Sequence, residues 1–454
     1  MKKVNLFNLM GLLMIMLAIA LVSCTKDGPA GKDGVNGADG APGTNGTDGT
    51  AGCIECHSPE SVDLIAIQFD FSKHHYGEAA FEEAGNVGCT PCHASEAFKY
   101  VCENNIPSTF TLNSTTGKYR NDYQTVTTDA YGEIGCSTCH SAIHSTYEPG
   151  DLALTTVAPV SMTMWGGAKE INLPADGGRS NLCVKCHQPR PFVTSTTLSD
   201  GNLVDYANLI ANPDVIYYDS AVGNAAPNKH LPSYRFHVHY GAVGAVYAGV
   251  GKGGIEFGSG YENSDHTDKA SCQDCHMATI NGRAGGHTFK VRNGDGPLVW
   301  TGNNATTFNY NGCNVEGCHA DDPVSATSVS TWTDPRTTIK GLLDELATKI
   351  NDIGSGTAIL HSDATEANLW AGITTGNWDG YLDIYDPSVN PNGYWRNITN
   401  NSPTNLGKPK FPSLTNAQVG AMINFQLCLR DFSLGIHNYM YTKALLQNSI
   451  AELN

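Results

Sequence analysis

The 454-residue chain is 40% hydrophobic with 49 glycines, less side-chain material for a core than that length ordinarily buries. Its 27 basic and 44 acidic residues give a formal charge of −17, which argues against a nucleic-acid partner and favours a basic protein surface or a cation.

Residues 1–23 place Lys2 and Lys3 before an apolar stretch that ends in Leu21-Val22-Ser23-Cys24. This order predicts an export signal, with flanks wrong for a membrane-spanning helix. The ending resembles the lipobox of bacterial lipoproteins, in which Cys24 becomes the lipidated N-terminus; an ordinary signal peptide leaving a free Cys24 is the alternative. Acyl chains contribute about 0.8 kcal/mol per buried CH2, enough for several to hold a protein on a membrane. Without Lys2 and Lys3, 25 basic residues face 44 acidic ones, a formal −19.

Residues 24–52 form the next segment, and from Gly28 to Gly52 glycine occupies every third position nine times. Gly-X-Y periodicity belongs to the collagen triple helix, but only Pro29 and Pro42 stiffen this copy, so a flexible extended stalk and a triple helix both remain open. At roughly 3 Å per residue, an extended stalk would hold the body about 75 Å from the lipid.

Residues 53–330 carry no sustained helical or strand period. They carry five C-x-x-C-H stretches instead: Cys53, Cys56, His57; Cys89, Cys92, His93; Cys136, Cys139, His140; Cys183, Cys186, His187; and Cys272, Cys275, His276. In this pattern two thiols form thioethers to porphyrin vinyls and the adjacent imidazole binds iron, the attachment chemistry of c-type haem. Zinc knuckles and disulfides also use C-x-x-C, but neither requires the following histidine. At ordinary histidine frequency, all five would be followed by it with a chance of roughly 10⁻⁷.

At Cys313 the chain reads CNVEGCH, with Cys318 followed directly by His319. The two extra residues can loop outward, Gly317 supplying backbone freedom, so this is expected to be a sixth haem site; a disulfide is the alternative. Six haems after Gly52 amount to one for every 67 residues, so the rings themselves would form much of the interior.

The fold expected is mainly α with extensive loops, a multihaem cytochrome c body organised around six haems, followed by C-terminal helices over residues 331–454. Ile339, Leu342, Leu343, Leu346 and Ile350 share one helical face. Thr415-x-x-Gln418 is a capping box before Val419, Met422, Ile423 and Leu427, and a last helix carries Leu445, Leu446, Ser449 and Leu453.

Ten histidines remain for the second axial position. A His-Tyr-Gly echo favours His75 and His239 over His74 and His237; His144 lies too close to His140 for the same ring but within reach of another. His266 precedes Cys272 by six residues, and His287 and His437 are flanked by glycine. His230 and His361 rank lower. Bis-histidine iron is closed to substrate and suits electron transfer. Arg190 and Arg235 are candidates to pair with haem propionates, surface charge being their commoner role; Cys102 and Cys428 are read as buried thiols or one long-range disulfide.

SNLCVKCHQPRP, HYG, CQDCHM followed by GGHTF, and SLGIHNYMYTKALL resemble the multihaem c-type cytochrome lipoproteins related to the nitrite reductase and octahaem reductase group, over residues 53 to 454. The resemblance implies distal-ligand roles for His437 and His287, the latter less constant in that group. Nitrite-reducing members carry a lysine in place of one motif histidine, and no CxxCK occurs here, so the resemblance does not extend to an open catalytic haem.

The expected function is electron transfer along a haem chain by an exported, lipid-anchored hexahaem cytochrome, with redox proteins or extracellular acceptors as partners. The stalk favours an outer-membrane location facing the exterior, a periplasmic one being the alternative. Two other functions compete: a reductase of a small nitrogen or sulfur oxyanion at one open haem, and a subunit of a trimer or cytochrome filament.

Overall fold

The computed structural model describes residues 59–76, 89–106, 110–113, 118–121, 132–140, 153–190, 204–219, 238–239, 241–293, 308–354, 356–362, 378–383 and 411–454. The chain divides into two compact units, Met1–Ala51 and Gly52–Asn454, and every described residue belongs to the second. The lipobox, the glycine repeat and the first motif with Cys53, Cys56 and His57 therefore lie outside the described residues, as do His144, His230, His237 and Arg235.

Helices in the first part of this unit are short. They are α1 (Pro59–Asp70), α2 (Lys73–Tyr76), α3 (Thr90–His93) and α4 (Ser95–Glu103), followed by an antiparallel ribbon of β1 (Phe110–Asn113) and β2 (Lys118–Asn121) with Phe110 opposite Asn121. Next come α5 (Cys136–Cys139), the small ribbon β3 (Val160–Ser161) and β4 (Glu170–Ile171), and α6 (Arg179–Cys186). The sequence then runs through α7 (Tyr206–Ala211), β5 (Ile216–Asp219), α8 (Val243–Ala248), α9 (Asp265–Lys269) and α10 (Cys272–His276). None of these helices exceeds twelve residues, and such lengths are marginal without tertiary partners.

The C-terminal elements are longer. In α11 (Asp334–Asp352) Ile339, Leu343, Leu346 and Ile350 are buried and Leu342 is half-buried, the face expected from their spacing. The short strands β6 (Leu360–Ser362) and β7 (Trp378–Leu382) pair antiparallel. Then β8 (Ser413–Thr415) pairs with β5, placing Thr415 opposite Ile216 at the start of α12 (Asn416–Arg430). Thr415 Oγ1 accepts from Gln418 N at 3.2 Å, and Gln418 Oε1 accepts from Thr415 N at 2.9 Å, the reciprocal cap predicted by the sequence. The last helix is α13 (Tyr439–Glu452), with Leu445, Leu446 and Ser449 buried.

Within α12 every residue except Gln418 is buried, so this helix has no solvent face of the kind its apolar spacing suggests. It is covered by α11, α13 and α7. Asn424 accepts from Ile255 N at 2.8 Å and donates to Ile255 O at 2.8 Å and Ser449 Oγ at 2.9 Å, joining three chain segments.

The main apolar core draws on β3, β4, α6, α7, α8 and α11 to α13, and its first residue is Val160. The boundary expected at residue 330 is thus a change in helix length and not a change of core: Met162, Val184 and Val246 belong to the same cluster as Leu343, Met422 and Leu445. Each such side chain contributes about 1.5–3 kcal/mol on burial. Among the described residues none before Val160 belongs to that cluster.

Candidate haem centres

Each described C-x-x-C-H motif folds as a single helical turn. The motif residues occupy α3, α5, the end of α6, and α10, with each histidine in the last turn or just beyond it. The turn is closed by the histidine N–H donating to the first cysteine's carbonyl: His93 to Cys89 at 3.2 Å, His140 to Cys136 at 2.9 Å, and His187 to Cys183 at 2.9 Å.

CNVEGCH closes in the same way. His319 N donates to Cys313 O at 3.1 Å, although two more residues lie between them. The additional backbone is taken up by a turn in which Cys318 N reaches Val315 O and Gly317 adopts φ +83°, with open space where a side chain would project. The histidine and the first cysteine are therefore joined as in the shorter motifs. Cys313 and Cys318 are both free thiols, as are Cys102, which is half-buried, and Cys428, which is buried. The disulfide alternatives for both pairs are thus not formed.

Several ring nitrogens are fixed by acceptors. His187 Nδ1 meets Gly241 O at 3.3 Å, His276 Nδ1 meets Phe289 O at 2.9 Å, and His266 Nδ1 meets Ile436 O at 2.8 Å. A carbonyl cannot donate, so Nδ1 carries the proton in each case and Nε2 presents a lone pair, the tautomer a metal requires. Burial pushes His276 down to about 4 and His187 below its ordinary value, holding both imidazoles neutral.

Four of the motif histidines have a second histidine ring close by. Ring centres lie 5.9 Å apart for His93 and His239, 5.9 Å for His187 and His74, 6.3 Å for His276 and His437, and 6.1 Å for His319 and His266. Two metal–nitrogen bonds of about 2 Å, plus roughly 1 Å from each nitrogen to its ring centre, put two trans imidazoles about 6 Å apart. Each of the four pairs joins a motif histidine to a histidine from another segment at that spacing. His287 is lowered first by its burial and then by His140, which places it within electrostatic reach of the fifth motif histidine.

Among the described residues no three His, Cys, Asp or Glu side chains converge as a holder for a bare ion. A tetrahedral zinc site would need four such donors, whereas paired imidazoles beside a pair of thiols are the donor set of c-type haem.

The HYGAVG segment supports two of these positions at once. His239 is held at φ +83°, a conformation uncommon for a residue with a side chain, while its ring faces His93. Two residues on, Gly241 at φ +62° offers its carbonyl to His187, and Gly244 N donates to His187 O at 2.9 Å. A Cβ on Gly244 would stand 2.8 Å from both His187 O and the Val184 side chain.

The residues before His-Tyr-Gly behave differently from the echo's suggestion. His74 turns inward, its ring 4.9 Å from Phe289 and 5.9 Å from His187; burial first, then repulsion from His187 and His276, lowers it to about 4. His75, favoured on the motif, has a side chain 41% exposed and meets Asp70 at 3.5 Å. The neighbours of His74 are Phe289 and His187, more than one hundred residues away in sequence, and local motif reasoning did not single it out. His361 lies on β6.

The attachment sites also touch one another. The Cys92 and Cys186 thiols hydrogen-bond, as do those of Cys183 and Cys272. Cys139 acts electrostatically on Cys183 and Cys186, and Cys313 and Cys318 act on Cys275. Cysteines of neighbouring motifs are therefore within electrostatic reach of one another.

No family model matches the chain, and neither does any curated protein or solved structure. The likeness to multihaem cytochromes is carried by its motifs. Among the described residues no helix is long and apolar enough to cross a membrane.

Proposed function

We propose that this chain is an exported, lipid-anchored hexahaem c-type cytochrome that relays electrons between a cell-surface partner and an acceptor outside the cell. The observation that carries the reading is the set of four imidazole pairs with ring centres 5.9 to 6.3 Å apart, each containing one motif histidine.

Haem c, when bound, supplies a one-electron iron couple. The chain's own residues do the rest. Twelve motif cysteines, from Cys53 to Cys318, would anchor the six macrocycles, and His57, His93, His140, His187, His276 and His319 would take one axial position each. His239, His74, His437 and His266 face four of those six across the required gap, and His287 stands near His140. At the four paired positions, occupation of both axial sites would leave no room for substrate, which favours a carrier over a reductase.

Two further observations support the reading. Contiguity of the attachment sites suits hopping between neighbours. In α1, which follows the first motif, Val62, Leu64, Ile65 and Ile67 are exposed, an apolar surface of the kind a porphyrin plane covers.

The test is intact-mass analysis together with visible spectroscopy of protein purified from its native host. Six added macrocycles, and a low-spin reduced spectrum unchanged by carbon monoxide, are expected. A polypeptide mass without macrocycles would remove the proposal; six macrocycles with a carbon-monoxide-sensitive fraction would shift it to the reductase.

A further inference from the structure

The loop between α12 and α13 holds a carboxylate against one of the paired histidines. Asp431, 1% exposed in its side chain, accepts the His437 Nδ1 proton on Oδ1 at 2.6 Å. Its other oxygen, Oδ2, accepts from the Ser433 hydroxyl and from Ser433 N at 3.4 Å; Ser433 Oγ in turn accepts from His437 N at 3.2 Å. Both carboxylate oxygens thus act as acceptors, the arrangement of an ionised carboxylate. The backbone is bent to achieve this: Phe432 at φ +61° and Leu434 at φ +52° both occupy the left-handed region, which side chains seldom adopt. The same loop presents Ile436 O to His266.

This differs in kind from the other ring-nitrogen partners. His187, His276 and His266 donate to neutral backbone carbonyls, whereas His437 donates to a buried negative charge. His75 also meets a carboxylate, Asp70, but both side chains of that pair are exposed.

We infer that Asp431 is a tuning residue for the haem position held by Cys272, Cys275 and His276, lowering its reduction potential through His437. The inference rests on the haem reading above. A short, charge-assisted bond draws the Nδ1 proton toward Asp431 and leaves the ring with imidazolate character, which strengthens its donation through Nε2. A buried negative charge one imidazole away from the iron also favours the oxidised, more positive state. Ser433 moderates the effect by sharing the carboxylate's charge. Cys272 bonds to Cys183, and Cys275 lies within electrostatic reach of Cys313 and Cys318.

The test is a spectroelectrochemical titration of the haem-loaded protein, wild type against Asp431→Asn and Ser433→Ala, with haem content measured by mass on each sample. Asn retains an oxygen acceptor but loses the charge. In Asp431→Asn one component of the titration is expected to move to higher potential by at least tenfold in its electron-uptake equilibrium, about 59 mV for one electron. In Ser433→Ala the same component is expected to move the opposite way, because the carboxylate keeps its charge and loses a donor. Unmoved components, or movement in the same direction in both variants, would overturn the inference while leaving the haem reading intact. Wild-type protein without haem would instead overturn that reading. If Asp431→Asn fails to accumulate, the sign of the Ser433→Ala shift decides the matter.

Discussion

His74 and His75 are adjacent, yet the fold sends one toward His187 and Phe289 and the other toward Asp70 and solvent. Replacing His74 with Ala should convert one haem of six to a high-spin form that binds carbon monoxide, whereas His75→Ala should leave the spectrum low-spin. Absorption spectra of the reduced variants, with and without carbon monoxide, check both. The motif histidines were legible because their neighbours in sequence are also their partners in chemistry. Distal histidines lack that advantage: His239, His266 and His437 were singled out by flanking residues, but only the approach of distant segments distinguishes His74 from His75. Asp431 carried no sequence signal beyond lying six residues before His437.

At the scale of elements, two kinds of helix obey different rules. The long helices α11 and α12 were legible from apolar spacing and the Thr415 capping box, because each has enough turns for a period to register. Thr415→Ala removes the acceptor for Gln418 N and should cost about 1 kcal/mol in denaturant unfolding, with the haem spectrum unchanged. The motif helices α3, α5 and α10 have four or five residues, too few for any period, and are fixed by the histidine-to-cysteine closure or by packing against neighbouring sites. Gly244 marks such a contact: Gly244→Ala forces a methyl against His187 O and Val184 and should cost about 1–3 kcal/mol. The matching check is a lower unfolding midpoint, accompanied by a perturbed spectrum for a single haem. An unchanged midpoint would mean that α6 and α8 separate freely.

For the whole molecule, side-chain packing is unevenly distributed. Among the described residues the main core begins at Val160 and gathers the C-terminal helices, while the described segments between residues 59 and 140 contribute nothing to it. Those earlier segments carry the motifs at Cys89 and Cys136, so covalent macrocycles are expected to organise them. Polypeptide produced without haem attachment should therefore be cleaved by a nonspecific protease first before residue 153, with fragments containing α11 to α13 surviving longest. Mass mapping of the early fragments checks this, and uniform cleavage along the chain would contradict it. The motifs can be counted in the sequence, but their spatial neighbours cannot. Cys92 meets Cys186 across more than ninety intervening positions, and no local pattern encodes such an encounter.

The turn at Gly317 has a practical consequence. Between Cys313 and Cys318 the peptide length is uncoupled from the grip, because the closing bond is made by the residues at either end and the middle projects into open space. A short guest peptide grafted beside Gly317 would hang from the final attachment site without entering it. That makes this turn a natural tether for wiring the protein to an electrode, or for a fluorophore that reports on one centre alone.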